Sequence, residues 1–324
     1  MATTAAGPPI APSLRKARSF FWGLHGGDKP AFLITISCAA AIVLVTCLLV
    51  YELFVNSAVS RHKFGWDFLF SRVWDPVAGQ FGALPFVYGT VVTSALALVI
   101  AVPLGVGAAI FLSELAPPRI SDILTFLIEL LAAVPSVIFG LLAVFVLVPM
   151  LKQIEPALRS VLGWLPTFQG PFYGFSLFAA GVILAIMVLP FIISISREVL
   201  LAVPTDQREA ALALGATKWE STWQVVVPFA RKGITGSIFL ALARALGETM
   251  AVTMVIGNDP KISASLFAPG YSIAAIIANE FTEATGDLYT SALIELGLVL
   301  FALTILINGI ARLLILTTTR RGET

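Results

Sequence analysis

The sequence has 324 residues, of which 58% are hydrophobic and 12% charged, and its mean hydropathy is +0.95. A soluble globular chain has about twice this charged fraction, so the composition favours a membrane protein. The net charge is +1, and no basic block accompanies aromatic residues, so nothing indicates a nucleic-acid partner. The two cysteines and two histidines have no metal-ligand or disulfide spacing, and we predict no metal site.

Six apolar stretches are long enough to cross about 30 Å of hydrocarbon. We therefore predict an all-α polytopic membrane protein, with spans over 31–54, 89–112, 123–151, 176–195, 234–256 and 288–316. In this organisation the chain has a partly disordered tail at 1–30, a first helix at 31–54, a loop at 55–88, a five-helix core at 89–316 and a second tail at 317–324. The apolar segment 271–281 is too short to span, and we expect an outer-surface or re-entrant helix there.

Lysine and arginine are more frequent in both tails and in the loop 197–232 than in the loops on the other side. The positive-inside rule therefore places both termini and this loop in the cytoplasm. The expected location is the cytoplasmic membrane, with several passes through the lipid bilayer.

The loop "TDQREAALALGATKWESTWQVVVP" predicts two capped helices over 205–228. Thr205 or Asp206 can cap the first helix, and Gly215 can end it in a left-handed conformation. Thr217 and Glu220 form a capping-box pattern that starts the second helix. A loop that only linked two spans would not need such a rigid element.

The second helix of this loop has an apolar face in the predicted spacing. Trp219, Trp223 and Val226 follow one another at i, i+4 and i+7, and Pro228 is expected to end the helix. Such a pair of helices can lie on the membrane, pack against its own bundle or dock a partner, and the pattern leaves these alternatives open.

The same loop resembles the EAA loop of ABC-importer permeases, with valine at two positions where isoleucine and leucine are usual. The matching residues are Glu209, Ala210, Ala211, Gly215, Val225, Val227 and Pro228. The resemblance implies a type I ABC-importer permease fold and a coupling helix that docks a separate ATPase through Glu209, Ala210, Ala211 and Gly215, with Pro228 closing the motif. The chain has no phosphate-binding G-x-x-x-x-G-K-[ST] loop. We therefore expect no cofactor on this chain, with ATP and Mg²⁺ on the partner ATPase.

The stretch "ALARALGETMAV" places two charges inside the predicted fifth span. Arg244 is expected near the midplane, and Glu248, four residues later, can pair with it on one helix face. One interpretation is a buried ion pair that sets helix packing. The other is a translocation path in which the guanidinium fork contacts a tetrahedral oxyanion.

Three further segments resemble phosphate-importer permeases of the PstC type. They are "RALGETMAV" followed by "GNDP", "AAVPSVIFGLLAV" and "FAPGYSIAAIIANEF", and the likeness covers most of 90–316. It implies a phosphate importer with a second, PstA-like permease, two ATPase subunits and an extracytoplasmic phosphate-binding protein. It also implies that Arg244, Glu248 and Thr249 lie on the substrate path.

Glu129, in the predicted third span, has three interpretations: it pairs with Arg244, lines a polar cavity or lies near the cytoplasmic face. For the whole chain, the residues leave a sulfate or molybdate permease open. A stand-alone channel or ion-coupled carrier is a different class, which the EAA loop disfavours. No nucleophile–base spacing supports an enzyme.

Overall fold

The structure, a computed structural model, describes the backbone of residues 28–320 and the side chains of residues 30–313. The predicted disorder of the N-terminal tail concerns residues 1–27, which lie outside this part of the chain, as do the last four residues of the C-terminal tail. The chain divides into two compact units, residues 1–52 and 53–324.

The described residues form helices and no β-strand. The α-helices are α1 Asp28–Asn56, α2 Ala58–Phe64, α3 Asp67–Phe70, α4 Leu84–Ile110, α5 Pro118–Ala132, α6 Ser136–Leu142, α7 Val148–Leu162, α8 Leu177–Leu201, α9 Thr205–Ala213, α10 Lys218–Ser221, α11 Val227–Gly247, α12 Met250–Thr253, α13 Ile273–Glu280 and α14 Asp287–Arg320. Three π-helical turns, Phe111–Leu115, Ala143–Leu147 and Thr222–Val226, and the 3₁₀ turn Pro166–Phe168 complete the set.

Six helical segments within the described residues are long and apolar enough to cross a membrane, which confirms the predicted number. They are Pro30–Asn56, Leu84–Leu115, Ser136–Leu162, Leu177–Leu201, Lys218–Gly247 and Asp287–Leu313. In the first of them, none of the most apolar 18-residue window is buried.

The third predicted span, 123–151, is wrong as a single helix. The chain leaves helical geometry between Ala132 and Ser136, and the candidate span starts only at Ser136. Pro135 explains the break, because a proline disfavours helical backbone in the residue before it and has no N–H to donate. The segment before the break is the separate helix α5.

Pro228 does not end the second helix of the EAA loop, contrary to prediction. It lies in the first turn of α11, and the helix is continuous from Lys218 to Gly247. The π-helical turn Thr222–Val226 comes directly before it. A π turn departs from α-helical hydrogen bonding, so the missing proline N–H interrupts no regular α-helical ladder there.

A proline also follows the other two π-helical turns of the described chain. Each of the three turns ends two residues before a proline, namely Pro117, Pro149 and Pro228. Proline alone does not produce the turn, since Pro103 and Pro190 lie inside regular α-helical segments.

The core of the second unit is built on close packing of α4 against α8. At Gly105 of α4, a Cβ atom would lie 2.8 Å from Cγ2 of Ile192 in α8, which is fully buried. Small residues allow two backbones to approach in this way, and lipid-embedded helices depend on such packing. Helix α11 is joined to α8 by a hydrogen bond of 2.8 Å between the buried hydroxyls of Ser196 and Ser237.

Two ends of the second unit can be distinguished. The EAA end carries residues 202–226, which pack near the ends of α4 and α8. The cap end carries residues 257–272 and α13, which fold over the starts of these two helices. There the Ile273 N–H donates to Oγ1 of Thr90 (2.9 Å), and the Leu177 N–H donates to the carbonyl of Ala268 (3.1 Å).

Helix α13 is the short helix predicted in 271–281. Its first residues Ile273–Ile276 are buried, so it is part of the core at the cap end. Tyr271, just before it, is 5% exposed, and its hydroxyl accepts a hydrogen bond from Nδ2 of Asn279 (3.0 Å). Burial raises the pKa of Tyr271 to about 12, because the ionised phenolate would lose its hydration.

We predict that Gly105→Ala lowers the stability of the purified protein by about 1–3 kcal/mol, because the added methyl group overpacks the α4–α8 contact. The measurement is the thermal midpoint in detergent, followed by size-exclusion chromatography. Gly107→Ala is the matched control: it lies on the same helix, and a Cβ atom there meets nothing within 4 Å. Equal midpoints for the two variants would contradict the packing described for α4 and α8.

Candidate functional site

The helix of the fifth span ends at the Gly-Glu-Thr segment, inside the range predicted for that span. Helix α11 ends at Gly247, Glu248 takes an extended conformation with φ −69° and ψ 128°, and the short helix α12 starts at Met250. The span predicted over 234–256 is therefore not one helix. Non-helical backbone at membrane depth occurs where protein or a water-filled cavity surrounds it. Interrupted spans are also where transporters place substrate sites.

Threonine and asparagine side chains satisfy part of the backbone around this break. Thr249 Oγ1 donates to the carbonyl of Gly247 (3.3 Å), and Thr253 Oγ1 donates to the carbonyl of Thr249 (2.8 Å). Asn258 Nδ2 donates to the carbonyl of Thr253 (3.2 Å). The break is therefore held by local polar contacts.

Arg244 lies in the last turn of α11, just before the break. Its guanidinium carbon is 4.3 Å from the ring centroid of Phe191 on α8, within cation–π range. Its Nε atom is buried and has no hydrogen-bond partner among the described residues. Leaving a buried donor without a hydrogen-bond partner costs free energy. An acceptor from outside the described chain would remove this cost at Arg244.

The predicted ion pair between Arg244 and Glu248 is wrong. The described side chains include no salt bridge between them. The prediction assumed a continuous helix, in which residues four apart share a face. The helix ends at Gly247, so the extended backbone at Glu248 removes that relation. Both side chains are half-buried and remain within one short segment, together with half-buried Thr249.

Glu129 does not join this group. It lies on α5, before the break at Pro135, and its side chain is exposed. No salt bridge in the described part of the chain links it to Arg244, so that interpretation is wrong.

The N-cap of the first EAA helix, α9, lies one residue before Thr205, the earlier of the two predicted N-cap residues. Pro204 is the N-cap residue, and no side chain caps the helix, so Thr205 and Asp206 are both inside it. Proline fixes its φ near −55° here, which directs the chain into the helix without a side-chain cap. At the other end Gly215 has φ +90°, which confirms the predicted left-handed turn.

The second EAA helix begins with the predicted capping box. Thr217 Oγ1 accepts from the Glu220 N–H (3.3 Å), and the Glu220 carboxylate accepts from the Thr217 N–H (2.8 Å). The predicted apolar face is confirmed for Trp219 and Trp223, whose rings contact each other edge to face with centroids 5.6 Å apart and which are 54% and 48% exposed. Val226 does not share this exposed surface, because it is buried. The π-helical turn over Thr222–Val226 changes the residue spacing on which that face depended.

The residues of the EAA motif differ in their exposure. Glu209, Ala210, Gly215 and Pro228 are exposed, whereas Ala211 is 8% exposed. Most of the motif therefore lies on the protein surface, whereas Ala211 packs against the rest of the protein. The expectation that Ala211 docks a partner through its side chain does not agree with this burial.

An ion pair ties the EAA end to the second span. Arg208 on α9 donates from Nη2 and Nε to the two carboxylate oxygens of Glu114, at 2.9 and 3.2 Å. It also donates to the carbonyls of Leu200 (2.7 Å) and Val203 (2.5 Å) at the end of α8. The side chains are 20% and 10% exposed. This forked geometry is the strong form of a charged hydrogen bond.

Comparison with known proteins identifies the family. The family described as "Binding-protein-dependent transport system inner membrane component" matches residues 101–318. The chain belongs to this family. It is therefore a multi-pass membrane component of a transport system rather than an enzyme, and the predicted all-α permease fold is confirmed.

Curated relatives of this transport-system component are named phosphate transport system permease protein PstC. The protein of Mesorhizobium japonicum is 51% identical over 285 residues, 86% of this chain and 87% of its own length. That of Xylella fastidiosa strain 9a5c is 50% identical over 262 residues, covering 79% and 81% of the two chains. PstC 2 of Mycobacterium tuberculosis is 40% identical over 311 residues, 94% of each chain. Among solved structures, the inward-facing MetNI methionine ABC transporter has a TM-score of 0.49 at 18% identity, covering 70% of this chain and 93% of that chain.

Sequence reasoning missed three features of this transport-system component: the break after Gly247, the three π-helical turns and the Arg208–Glu114 pair. Gly247 was a usable indication, since glycine often follows the last helical residues. The ion pair joins residues 94 positions apart, and no spacing rule reaches that far.

We predict that Arg208→Lys lowers stability by about 2 kcal/mol or more, because lysine keeps the charge but loses the fork, and charged hydrogen bonds contribute about 1.5–3 kcal/mol each. The thermal midpoint in detergent measures this effect. Arg231→Lys is the control, since Arg231 is exposed on α11. A midpoint equal to that of the control would show that the fork contributes nothing.

Proposed function

We propose that this chain is a PstC-type permease subunit of an ATP-driven importer of inorganic phosphate. The observation that carries the proposal is the identity of up to 51% with relatives named phosphate transport permeases, over most of each chain. The end of the fifth-span helix at Gly247, with an arginine in its last turn, supports it from the geometry. The family disfavours the stand-alone channel or carrier.

Inorganic phosphate suits the chemistry around Arg244. A guanidinium offers planar, paired donors that match two oxygens of a tetrahedral oxyanion. The Nε of Arg244 is buried without a partner among the described residues, so an anion in the path would satisfy a donor that is otherwise unpaired. Glu248, beside Arg244, would limit how tightly the anion is held, because its carboxylate repels an anion. Thr249 would supply a hydroxyl that can donate to the anion.

The proposed assembly contains a second, PstA-like permease, two ATPase subunits that bind ATP and Mg²⁺, and an extracytoplasmic phosphate-binding protein. The EAA surface fits an ATPase groove, because Glu209, Ala210 and Gly215 are exposed and two of them have almost no side chain. Small residues permit close approach, and the carboxylate can pair with a basic residue opposite.

The proposed orientation places the EAA end in the cytoplasm, with both termini on that side of the cytoplasmic membrane. ATPase movement would then reach the path directly. A single continuous helix of 30 residues, Lys218–Gly247, joins the capping box to the break and is about 45 Å long. The Arg208–Glu114 pair would carry the same movement to the second span.

A permease for another oxyanion, sulfate or molybdate, is the second candidate. The guanidinium of Arg244 offers the same donors to any tetrahedral oxyanion. The names of the relatives favour phosphate.

We predict that Arg244→Gln reduces ATP-dependent uptake of labelled phosphate by the assembled complex at least tenfold, because the neutral amide cannot replace the charged fork. Arg231→Gln removes an equal charge from the exposed part of the same helix and should transport normally. Co-purification of the partner subunits checks that both variants assemble.

The same assay tests the substrate. Excess unlabelled sulfate or molybdate should leave phosphate uptake unchanged. Uptake that survives Arg244→Gln would make Arg244 a packing residue, whereas a wild-type complex that moves sulfate or molybdate but no phosphate would overturn the substrate assignment.

We predict that Glu209→Lys reduces the ATPase recovered with the permease at least fivefold, because it reverses the charge at the proposed docking surface. The amount of co-purified ATPase is measured by quantitative mass spectrometry. Glu283→Lys, an exposed carboxylate at the cap end, is the matched control. Equal recovery from the two variants would refute docking through this surface.

A further inference from the structure

A cavity of about 750 Å³ lies within the second unit, between α14 and the segment formed by α2, α3 and the start of α4. Its size is within the range of about 300–1,000 Å³ for small-molecule sites. It is separate from the break at Gly247 and from the EAA surface, since no residue of either lines it. Nothing in the proposed transport of phosphate uses this cavity.

Most of the cavity wall is an apolar stripe on α14. Leu298, Ala302 and Leu306 line it at three, seven and eleven positions after Glu295, which is the spacing of one helix face. Eleven residues of helix span about 16 Å, so the stripe can lie along one acyl chain for about this distance.

The polar end of the cavity carries a buried carboxylate. Glu295 is 5% exposed, and its Oε2 atom has no hydrogen-bond partner among the described residues. Oγ of Ser60, on helix α2, is also buried without a hydrogen-bond partner, and Arg61 on the same helix lines the cavity together with Glu295. A buried acceptor without a partner is costly, and a donor from a ligand would remove that cost.

A cation lies at the same end of the cavity. The Arg61 guanidinium is 3.7 Å from the ring centroid of Phe54, its Nε donates to Oγ of Ser57 (3.0 Å), and its Nη2 donates to the carbonyl of Phe54. One end of the cavity thus carries the guanidinium of Arg61 and the carboxylate of Glu295, and the apolar stripe on α14 begins next to them.

The rim of the cavity is aromatic and open. Trp66 and Phe70 line it and are 80% and 70% exposed. Tryptophan, as at Trp66, is enriched at the level of lipid headgroups. Asp287, where α14 begins, lies about 12 Å from Glu295 along the helix, so the charged end is in the leaflet at the cap end.

We propose that this cavity binds one glycerophospholipid with a primary ammonium headgroup, of the phosphatidylethanolamine class. The ammonium donates to Glu295, the phosphate diester accepts from Arg61, and an acyl chain lies along Leu298, Ala302 and Leu306. A choline headgroup has no N–H to donate, and an anionic glycerol headgroup has no cation for Glu295. The inference does not depend on the transported substrate.

The test is native mass spectrometry of the delipidated full-length protein with the subunits that co-purify with it, titrated with phosphatidylethanolamine or phosphatidylcholine of equal chain length. We expect at least fivefold tighter binding of the ethanolamine lipid. Glu295→Gln should abolish this preference, and Glu283→Gln, an exposed carboxylate outside the cavity, should keep it. Millimolar inorganic phosphate should not displace the lipid, which separates the headgroup phosphate from a free phosphate ion.

A second variant covers the case in which Glu295→Gln does not fold. Ala302→Phe fills the apolar part and leaves both charges, and it should weaken binding of both lipids at least fivefold. Equal binding of the two lipids to wild type, or a preference that survives Glu295→Gln, overturns the proposal. Displacement by inorganic phosphate overturns it as well. Lipid bound by the isolated chain but not by the complex would show that a partner subunit covers the cavity, which also overturns it.

Discussion

A peptide group inside hydrocarbon has no water to bond, so every interruption of a spanning helix must be satisfied by the protein itself. This constraint accounts for the contacts at the places where the long helices depart from regular α-helical geometry. The break after Gly247 is supported by threonine and asparagine side chains, and a proline lies two residues after each π-helical turn of the described chain. The segments that depart from regular helix include the one that follows Arg244 and contains Glu248 and Thr249.

Much of the fold was accessible from sequence because its signals are local. Hydropathy gave the number of spans, since crossing lipid requires a long apolar helix. The capping box of Thr217 and Glu220 and the left-handed turn at Gly215 were both predictable, because each depends on a few adjacent residues. The short buried helix before Phe281 also followed from its length.

The remaining features could not be read from spacing. The Arg244–Glu248 pair was inferred from an α-helical period that does not continue past Gly247. The predicted apolar face holds for Trp219 and Trp223, whose rings are in contact, but not for Val226, which is buried at the end of a π-helical turn. The Arg208–Glu114 pair is a tertiary contact. Glu129 is flanked by apolar residues in the sequence, but its side chain is exposed, so apolar neighbours in the sequence do not by themselves predict burial.

The π-helical turns have a geometric consequence for the third and fifth spans. Each turn contains one residue more than an α-helical turn, so the remainder of the helix is rotated by about 100° from the phase of an uninterrupted helix. In the fifth span, this offset lies between the EAA surface and the segment that leads to Arg244. The face that the helix presents at the EAA surface is therefore offset by about 100° from the face that an uninterrupted helix would align with Arg244, although the helix between them is continuous.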